Sequence, residues 1–409
     1  MKLKNLHYSW VMVVVAACVL AAFVTMFYTF GIFLIPLTAE FNWDRGALSG
    51  AISMLTLIFG FLGIFSGRLS DKYGPRLLAT IGGLFIGIGF LLMSQVSSLW
   101  QVYLIWGVLF GVGGGCCYVP VTSTIPRWFA KRRGVAVGIT VTGIGLGGMI
   151  SPTLAQWLIS SYGWRQACII LGLITSIIII SLVQFMKHSP QRVGLKPYGE
   201  DGTIEDKQPS ASIVGGLPFK QVIKASRFWF FGLILFCFIF AVQVIIVHIA
   251  PYAVDIGISA IVAASMVSIL AGASAIGRFS IGFISDRIGA RRALTACVTT
   301  FTLALIWLLF AKEVWMLYVF AVVFGVAYGG IVPLQPLVAA DLFGLSSLGT
   351  IFGAVHFLGT IGGALGAPLA GTIFDVTGSY NLAFLICVII GALAIILSLI
   401  LLKAKGGGD

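Results

Sequence analysis

Charged residues are scarce in this sequence: Asp, Glu, Lys and Arg make up 9% of its 409 residues, whereas hydrophobic residues make up 59%. A soluble domain carries about a quarter charged residues, so the composition excludes a soluble globular protein and predicts a protein of the lipid bilayer. A membrane-spanning helix needs about 20 mainly apolar residues. Such runs are predicted at residues 9–36, 47–67, 77–95, 100–126, 134–159, 165–187, 227–254, 261–283, 293–311, 314–340, 349–373 and 381–403.

These runs predict an all-α integral membrane protein with twelve transmembrane helices. The first run is too long for the apolar region of a signal peptide and lacks a small-residue cleavage site, so we expect it to remain as a helix.

The sequence also lacks the residue clusters that carry catalysis or hold cofactors. Its seven cysteines all fall within predicted spans and form neither a C-x-x-C pair nor a Cys/His spacing typical of a metal site. No Ser-His-Asp arrangement is found, and the glycine-rich run 143–148 has no preceding strand that would make it a nucleotide loop. Gly143 and Gly147 instead have the small-xxx-small spacing of closely packed membrane helices. We therefore expect no metal, no cofactor and no enzymatic activity.

The basic residues are distributed unevenly, and the net charge is +12 at pH 7. With the N-terminus inside, the 25 Lys and Arg residues lie on the inner side, except for Arg45, Arg165 and Lys312 outside and Arg278 within a span. The positive-inside rule then predicts a multi-pass protein of the inner or plasma membrane with both termini in the cytoplasm. Because no soluble domain concentrates the cations, we expect them to meet anionic lipid and no nucleic acid.

One ten-residue pattern occurs twice in the chain. GRLSDKYGPR at residues 67–76 returns as GFISDRIGAR at residues 282–291, and Tyr103 and Tyr318 match at the same offset. Parallel repeats of this kind build secondary transporters whose substrate site lies near the midplane between the halves. The predicted domains are a first six-helix half, a cytoplasmic linker and a second six-helix half, over residues 1–187, 188–226 and 227–409.

The repeated pattern resembles the G-x-x-x-D-[RK]-x-G-x-R signature of the major facilitator superfamily, and the resemblance covers nearly the whole chain. It implies the major facilitator fold of two pseudo-symmetric halves. Charge-assisted bonds from such residues at helix ends can hold neighbouring helices in one conformational state. The alternative is that they are solvated loop charges. The residues predicted to form this conformational latch are Asp71, Arg76, Asp286 and Arg291.

Three further stretches narrow the resemblance. RWFAKRRGVAVG at 127–138, HIAPYAVDIG at 248–257 and the context of Arg278 are similar to the monocarboxylate transporters and the related bacterial oxalate:formate exchangers. The resemblance implies transport of a small monocarboxylate such as lactate or pyruvate. The animal members carry a lysine where this chain has Tyr28 and an aspartate where it has Ser274, so their proton route cannot be transferred to it.

Arg278 lies in a stretch that is otherwise apolar or small from residue 261 to residue 283. An arginine at mid-membrane costs about 2.5 kcal/mol or more, so its side chain should face protein or a water-filled cavity. Its planar fork suits a carboxylate, which can accept two parallel hydrogen bonds. We therefore predict that Arg278 binds the substrate carboxylate. The alternatives are structural pairing and snorkelling of the side chain to the cytoplasmic surface.

Other polar residues of the spans are weaker candidates, because each is as readily explained as an ordinary buried polar group. Those that could bind a small oxygenated ligand are Tyr28, Tyr118, Tyr328, Gln335 and His356. His248 is a candidate for proton coupling, since imidazole titrates near neutral pH. Asp255, near the outer end of the seventh helix, is a candidate for gating or titration. If protons are coupled, the carrier is expected among His248, Asp255 and His356. His248 is equally explained as a bond between the seventh helix and a neighbour.

The sequence thus predicts a monomeric, proton-coupled symporter of small monocarboxylates that works by alternating access. The alternatives are an oxalate:formate-type exchanger, a drug exporter, and, from another class, a membrane sensor or enzyme. The oxalate exchangers have a second cation on the eleventh helix, where this chain has Val355 and His356. Because no Lys or Arg occurs between Lys312 and Lys403, we expect monocarboxylates to be preferred over dicarboxylates.

Overall fold

The computed structural model describes residues 8–129, 133–190, 194–199, 219–343 and 348–403. Within them the chain is almost entirely helical, and extended pairing is limited to one bridge between Phe129 and Tyr198. Twelve helical segments of this described part are long and apolar enough to cross a membrane, as the composition predicts. We number them α1–α12, with bounds Tyr8–Phe41, Arg45–Tyr73, Pro75–Met93, Leu99–Thr124, Arg133–Tyr162, Trp164–Val183, Ser226–Asp255, Ala260–Ile288, Ala290–Phe310, Val314–Phe343, Leu348–Thr377 and Asn381–Lys403.

Short helical turns occupy two connections, Ile125–Trp128 and Phe219–Val222. Several helices are longer than predicted, because the ten-residue repeats are largely helical: α2 continues to Tyr73 and α8 to Ile288. Both then end at a glycine with positive φ, Gly74 and Gly289. A side chain rarely adopts that conformation, which explains the glycine in each repeat.

Two helices of the first half are irregular where they touch. α1 consists of three pieces, Tyr8–Phe23, Thr25–Tyr28 and Phe30–Phe41. The Thr29 hydroxyl donates to the Thr25 carbonyl at 2.8 Å. The indole N–H of Trp106, in the π-helical segment Tyr103–Leu109 of α4, donates to the Met26 carbonyl at 3.2 Å. A side-chain donor from α4 thus satisfies a backbone carbonyl at the interruption of α1.

The chain divides into two compact units. The first comprises Met1–Asp201 and Val247–Gly272, and the second comprises Gly202–Ile246 and Ala273–Asp409. The end of α7 and the beginning of α8 therefore belong to the first unit, together with α1–α6. The sequence-based division with a linker at residues 188–226 stays a prediction, and residues 200–218 lie outside the described part.

Glycines allow close backbone contact within the first unit. A Cβ at Gly143 on α5 would lie 2.1 Å from the Ala17 carbonyl oxygen on α1, and one at Gly147 would lie 2.0 Å from the Ala21 carbonyl oxygen. Both distances are far below a van der Waals contact, so α5 and α1 pack backbone against backbone, as the small-xxx-small spacing predicts.

Glycines also allow close backbone contact between α8 and α10 in the second unit. A Cβ at Gly277 would lie 2.1 Å from the Val326 carbonyl oxygen, and one at Gly329 would lie 1.9 Å from the Ser274 carbonyl oxygen. Each of these glycines is directly adjacent to a candidate site residue in the chain. The close packing of α8 and α10 therefore fixes the distance between Arg278 and Tyr328.

Candidate functional site

Arg278 is buried inside the second unit, with 8% of its surface exposed. Its guanidinium carbon lies 5.7 Å from the centroid of the Tyr328 ring. At this distance the negative face of the ring attracts the cation, and the attraction is stronger where water is excluded. Two residues predicted independently as substrate ligands are therefore neighbours in the fold.

Tyr328 is itself held in an aromatic cluster contributed by α7, α9 and α10. Its ring centroid lies 6.1 Å from that of Phe238 and 6.5 Å from that of Phe324. Phe301 contacts both phenylalanines, at 5.4 Å and 4.6 Å between ring centroids. Such pairs add to the stabilisation that burial provides and restrict the ring orientations. The Tyr328 side chain is therefore positioned by three helices.

Gln335 and His356 form a second polar pair of this unit. Nδ1 of His356 on α11 lies 3.3 Å from Oε1 of Gln335 on α10, and Gln335 is buried. Gln335 follows Tyr328 by two helical turns, so both side chains lie on about the same face of α10. The structure thus brings four of the predicted ligand residues together in two pairs, Arg278 with Tyr328 and Gln335 with His356.

The other two predicted ligand residues, Tyr28 and Tyr118, lie in the first unit. Tyr28 is buried in the interrupted part of α1, where a Cβ at Gly148 would lie 2.9 Å from its ring. The Tyr118 ring is stacked on Phe23 with 5.9 Å between centroids and lies 5.7 Å from Phe59. Tyr28 is thus part of α1, and Tyr118 on α4 packs against α1 through Phe23.

The proton-coupling candidates lie on α7 and contact α2 in the first unit. His248 is fully buried, and its Nε2 lies 3.4 Å from the Ser49 hydroxyl. Both carboxylate oxygens of Asp255 accept bonds from Arg45, at 2.6 Å and 2.9 Å. The sequence analysis did not anticipate the role of Arg45 as the partner of Asp255. The sequence offered one signal for this role: Arg45 is one of the few basic residues on the predicted outer side.

The structure describes the side chains of two of the four predicted latch residues, Arg76 and Arg291. Nε of Arg76 donates to Oε1 of Gln184 at 2.7 Å, and Nε of Arg291 pairs with a carboxylate oxygen of Asp341 at 2.6 Å. The side chains of Asp71 and Asp286 lie outside the described residues. The sequence analysis did not predict Gln184 and Asp341 as the partners of these arginines. Asp341 could have been noticed, because it is an acidic residue near the end of an apolar helix.

No metal centre is built among the side chains that the structure describes, because no group of three or more His, Cys, Asp or Glu residues there could hold an ion.

Comparison with known proteins assigns the chain to a family. Residues 15–288 and 246–408 match the family model of the Major Facilitator Superfamily. The chain therefore belongs to the major facilitator superfamily, which consists of transporters and not of enzymes. A bacterial homolog of the human lysosomal transporter Spinster shares the fold, with a TM-score of 0.74, 17% identity, and coverage of 96% of this chain and 97% of that chain.

Within the superfamily the chain is related to monocarboxylate transporters, as its motifs predicted. It is 30% identical over 412 residues to monocarboxylate transporter 12 of Mus musculus, covering 93% of this chain and 82% of that protein. It is 29% identical over 384 residues to monocarboxylate transporter 13 of Rattus norvegicus, covering 93% of this chain and 85% of that protein. The twelve spans make it a multi-pass membrane protein.

Proposed function

We propose that this chain is a secondary active transporter of small monocarboxylates of the lactate and pyruvate class. It works by alternating access and moves a proton together with each substrate anion. The observation that carries the proposal is the buried Arg278 beside Tyr328. A guanidinium donates two parallel hydrogen bonds to a carboxylate, and the bonds strengthen where water is excluded. The aromatic cluster behind Tyr328 would accept a short aliphatic tail.

The relatives support the same substrate class, because their names describe monocarboxylate transporters. We further propose that residues 1–187 and 227–409 are the two moving halves, joined by a cytoplasmic linker at 188–226. The excess of Lys and Arg in the predicted inner connections supports cytoplasmic termini and a location in the inner or plasma membrane. One chain carries all the proposed ligands, so we expect the monomer to be active.

The proposed proton carriers are His248 and His356. Imidazole changes its charge near neutral pH, and both residues contact a neutral polar group, Ser49 or Gln335. The Asp255 carboxylate is already engaged by two bonds from Arg45. A symported proton would make the movement of a monoanion electrically neutral, and this gives the coupling a measurable signature.

The experiment is uptake of labelled lactate and pyruvate into proteoliposomes, with and without an inward acid gradient. The gradient should accelerate uptake several-fold, and an imposed membrane potential should have little effect. Vesicles without protein, and vesicles whose gradient is collapsed by a proton ionophore, are the controls. Uptake that follows the potential but not the pH gradient would contradict proton symport. Absence of uptake of either acid would contradict the substrate class.

A further inference from the structure

Gln243, in the middle of α7, is a buried glutamine outside the set of predicted site residues, and it is 9% exposed. Within the described part of the chain its amide has no hydrogen-bond partner. An amide side chain offers two N–H donors and an acceptor oxygen. Burying these groups unpaired in an apolar region is costly, and polar residues inside membrane spans mark substrate or ion pathways. Gln243 therefore needs a polar partner that the described side chains and backbone do not supply.

The side of α7 that carries Gln243 is partly exposed up to this residue. Phe236, Ile239 and Gln243 follow one another at spacings of three and four, so they share one side of the helix. Phe236 and Ile239 are half-buried. The next residues on this side, Ile246 and Val247, are buried. The amide of Gln243 thus lies at the closed end of a partly exposed strip of α7.

Gln243 also lies near the depth of the candidate site in the same unit. The Phe238 ring of α7 lies 6.1 Å from the Tyr328 ring, which in turn contacts Arg278. Gln243 follows Phe238 by five residues, which is about 7.5 Å of helix rise. Because side chains of a helix lean towards its N-terminus, the amide reaches back towards the depth of Phe238. Gln243, Tyr328 and Arg278 therefore occupy about the same level of the second unit.

The internal repeat gives Gln243 a counterpart among the predicted substrate ligands. Tyr28 and Gln243 are separated by the same offset as the two copies of the ten-residue pattern. The helices that carry them are packed in the same register. A Cβ at Gly362 on α11 would lie 2.3 Å from the Phe236 carbonyl oxygen of α7, which repeats the contact of Gly147 with α1. Gln243 therefore has the position on α7 that Tyr28 has on α1.

We propose that Gln243 is a further substrate-binding residue, whose amide hydrogen-bonds the oxygen on carbon 2 of a 2-hydroxy or 2-oxo monocarboxylate. The proposal rests on the proposed function and adds the group that is recognised besides the carboxylate. The amide oxygen accepts a bond from the hydroxyl of lactate, and the amide N–H donates to the oxo group of pyruvate. Propionate has neither group. A site whose buried polar group would be left unpaired discriminates against such an analogue.

The test compares the parent protein with Gln243→Met, which keeps an unbranched side chain of similar length and removes the amide. The concentration dependence of labelled lactate uptake and of labelled propionate uptake into proteoliposomes gives two apparent affinities. In Gln243→Met the affinity for lactate should fall about tenfold, equivalent to about 1.4 kcal/mol, and that for propionate should change by less than about twofold. Without substrate, the variant in detergent should unfold at the same or a higher temperature than the parent, because it loses an unpaired polar group.

Gln156→Met is the matched control. Gln156 on α5 is also buried, but its amide donates to the Ser160 hydroxyl at 3.1 Å. Removing a bonded amide should lower the unfolding temperature. The ratio of the lactate affinity to the propionate affinity should stay that of the parent.

Three results would overturn the role of Gln243 and leave the proposed function intact. They are an unchanged lactate affinity in Gln243→Met, equal losses of affinity for lactate and propionate, and a lower unfolding temperature, which would show that the amide holds the fold together. Absence of lactate and propionate uptake by the parent protein would instead contradict the proposed function, and the ligand proposed for Gln243 with it.

Discussion

The guanidinium carbon of Arg278 on α8 lies 5.7 Å from the centre of the Tyr328 ring on α10. This relationship depends on the backbone contact beside it, where Gly277 and Gly329 let α8 and α10 approach more closely than side chains would permit. The cation is thereby kept in an apolar region against an aromatic face. The packing of α8 against α10 therefore sets the position of Arg278 relative to the Tyr328 ring.

The first prediction concerns that packing. Gly329→Ala should lower the stability of the purified protein by about 1–3 kcal/mol, the usual effect of forcing extra volume into a packed interior. The new Cβ would lie 1.9 Å from the Ser274 carbonyl oxygen, and backbone cannot yield as a flexible side chain can. Thermal unfolding in detergent measures the effect. Gly138→Ala is the matched control, because a Cβ there meets no described atom within 4 Å, and equal unfolding temperatures for both variants would refute the account of the α8–α10 contact.

The second prediction concerns the ring of Tyr328. Tyr328→Leu should weaken apparent substrate affinity by about fivefold, because a cation–π contact of about 1 kcal/mol no longer orients Arg278. Tyr328→Phe keeps the aromatic face and should transport almost normally. Concentration dependence of uptake in proteoliposomes distinguishes the two variants. If leucine supports uptake as well as phenylalanine does, the ring has no part in positioning the arginine.

Much of this architecture could be predicted from composition and repeats. The apolar runs predicted the twelve spans, and Arg278 stood out as a charge in an apolar stretch. The pairing of Arg45 with Asp255 could not be predicted, since the two residues are 210 positions apart and the pattern of one helix does not specify its neighbour. The π-helical segment Tyr103–Leu109 was also missed, because nothing in the sequence pattern of that helix indicates it or the contact that its Trp106 makes with α1.

The third prediction concerns proton coupling. His248→Gln keeps a polar side chain beside Ser49 but removes the titrating group, so it should weaken acceleration by a pH gradient more than it weakens counterflow exchange. Exchange needs no net movement of protons, and this makes it an internal control for folding and binding. Both activities are measured in the same vesicles. A wild-type response to the gradient in His248→Gln would remove His248 from the coupling route, leaving His356 as the candidate.

The fourth prediction concerns substrate charge. A dicarboxylate bound by Arg278 would present its second charge to a region whose nearest candidate cation is His356, since no Lys or Arg occurs between Lys312 and Lys403. Desolvating such an ion costs several kcal/mol, and each 1.4 kcal/mol is about tenfold in affinity. Excess oxalate or succinate should therefore barely inhibit lactate uptake at pH 7, whereas pyruvate should inhibit it strongly. Equal competition by oxalate and pyruvate would favour the anion-exchanger alternative.

The most direct test of the central claim is lactate uptake by Arg278→Lys. Lysine keeps the positive charge but replaces the two-pronged geometry by a single ammonium, so uptake should fall by about a hundredfold or more, equivalent to about 2.7 kcal/mol. The unfolding temperature should stay close to that of the parent. Arg292→Lys, an exposed conservative change at the start of α9, serves as the matched control and should transport normally. Near abolition of uptake in a folded Arg278→Lys protein is the predicted result, and parent-like uptake would contradict the binding of the substrate carboxylate by Arg278.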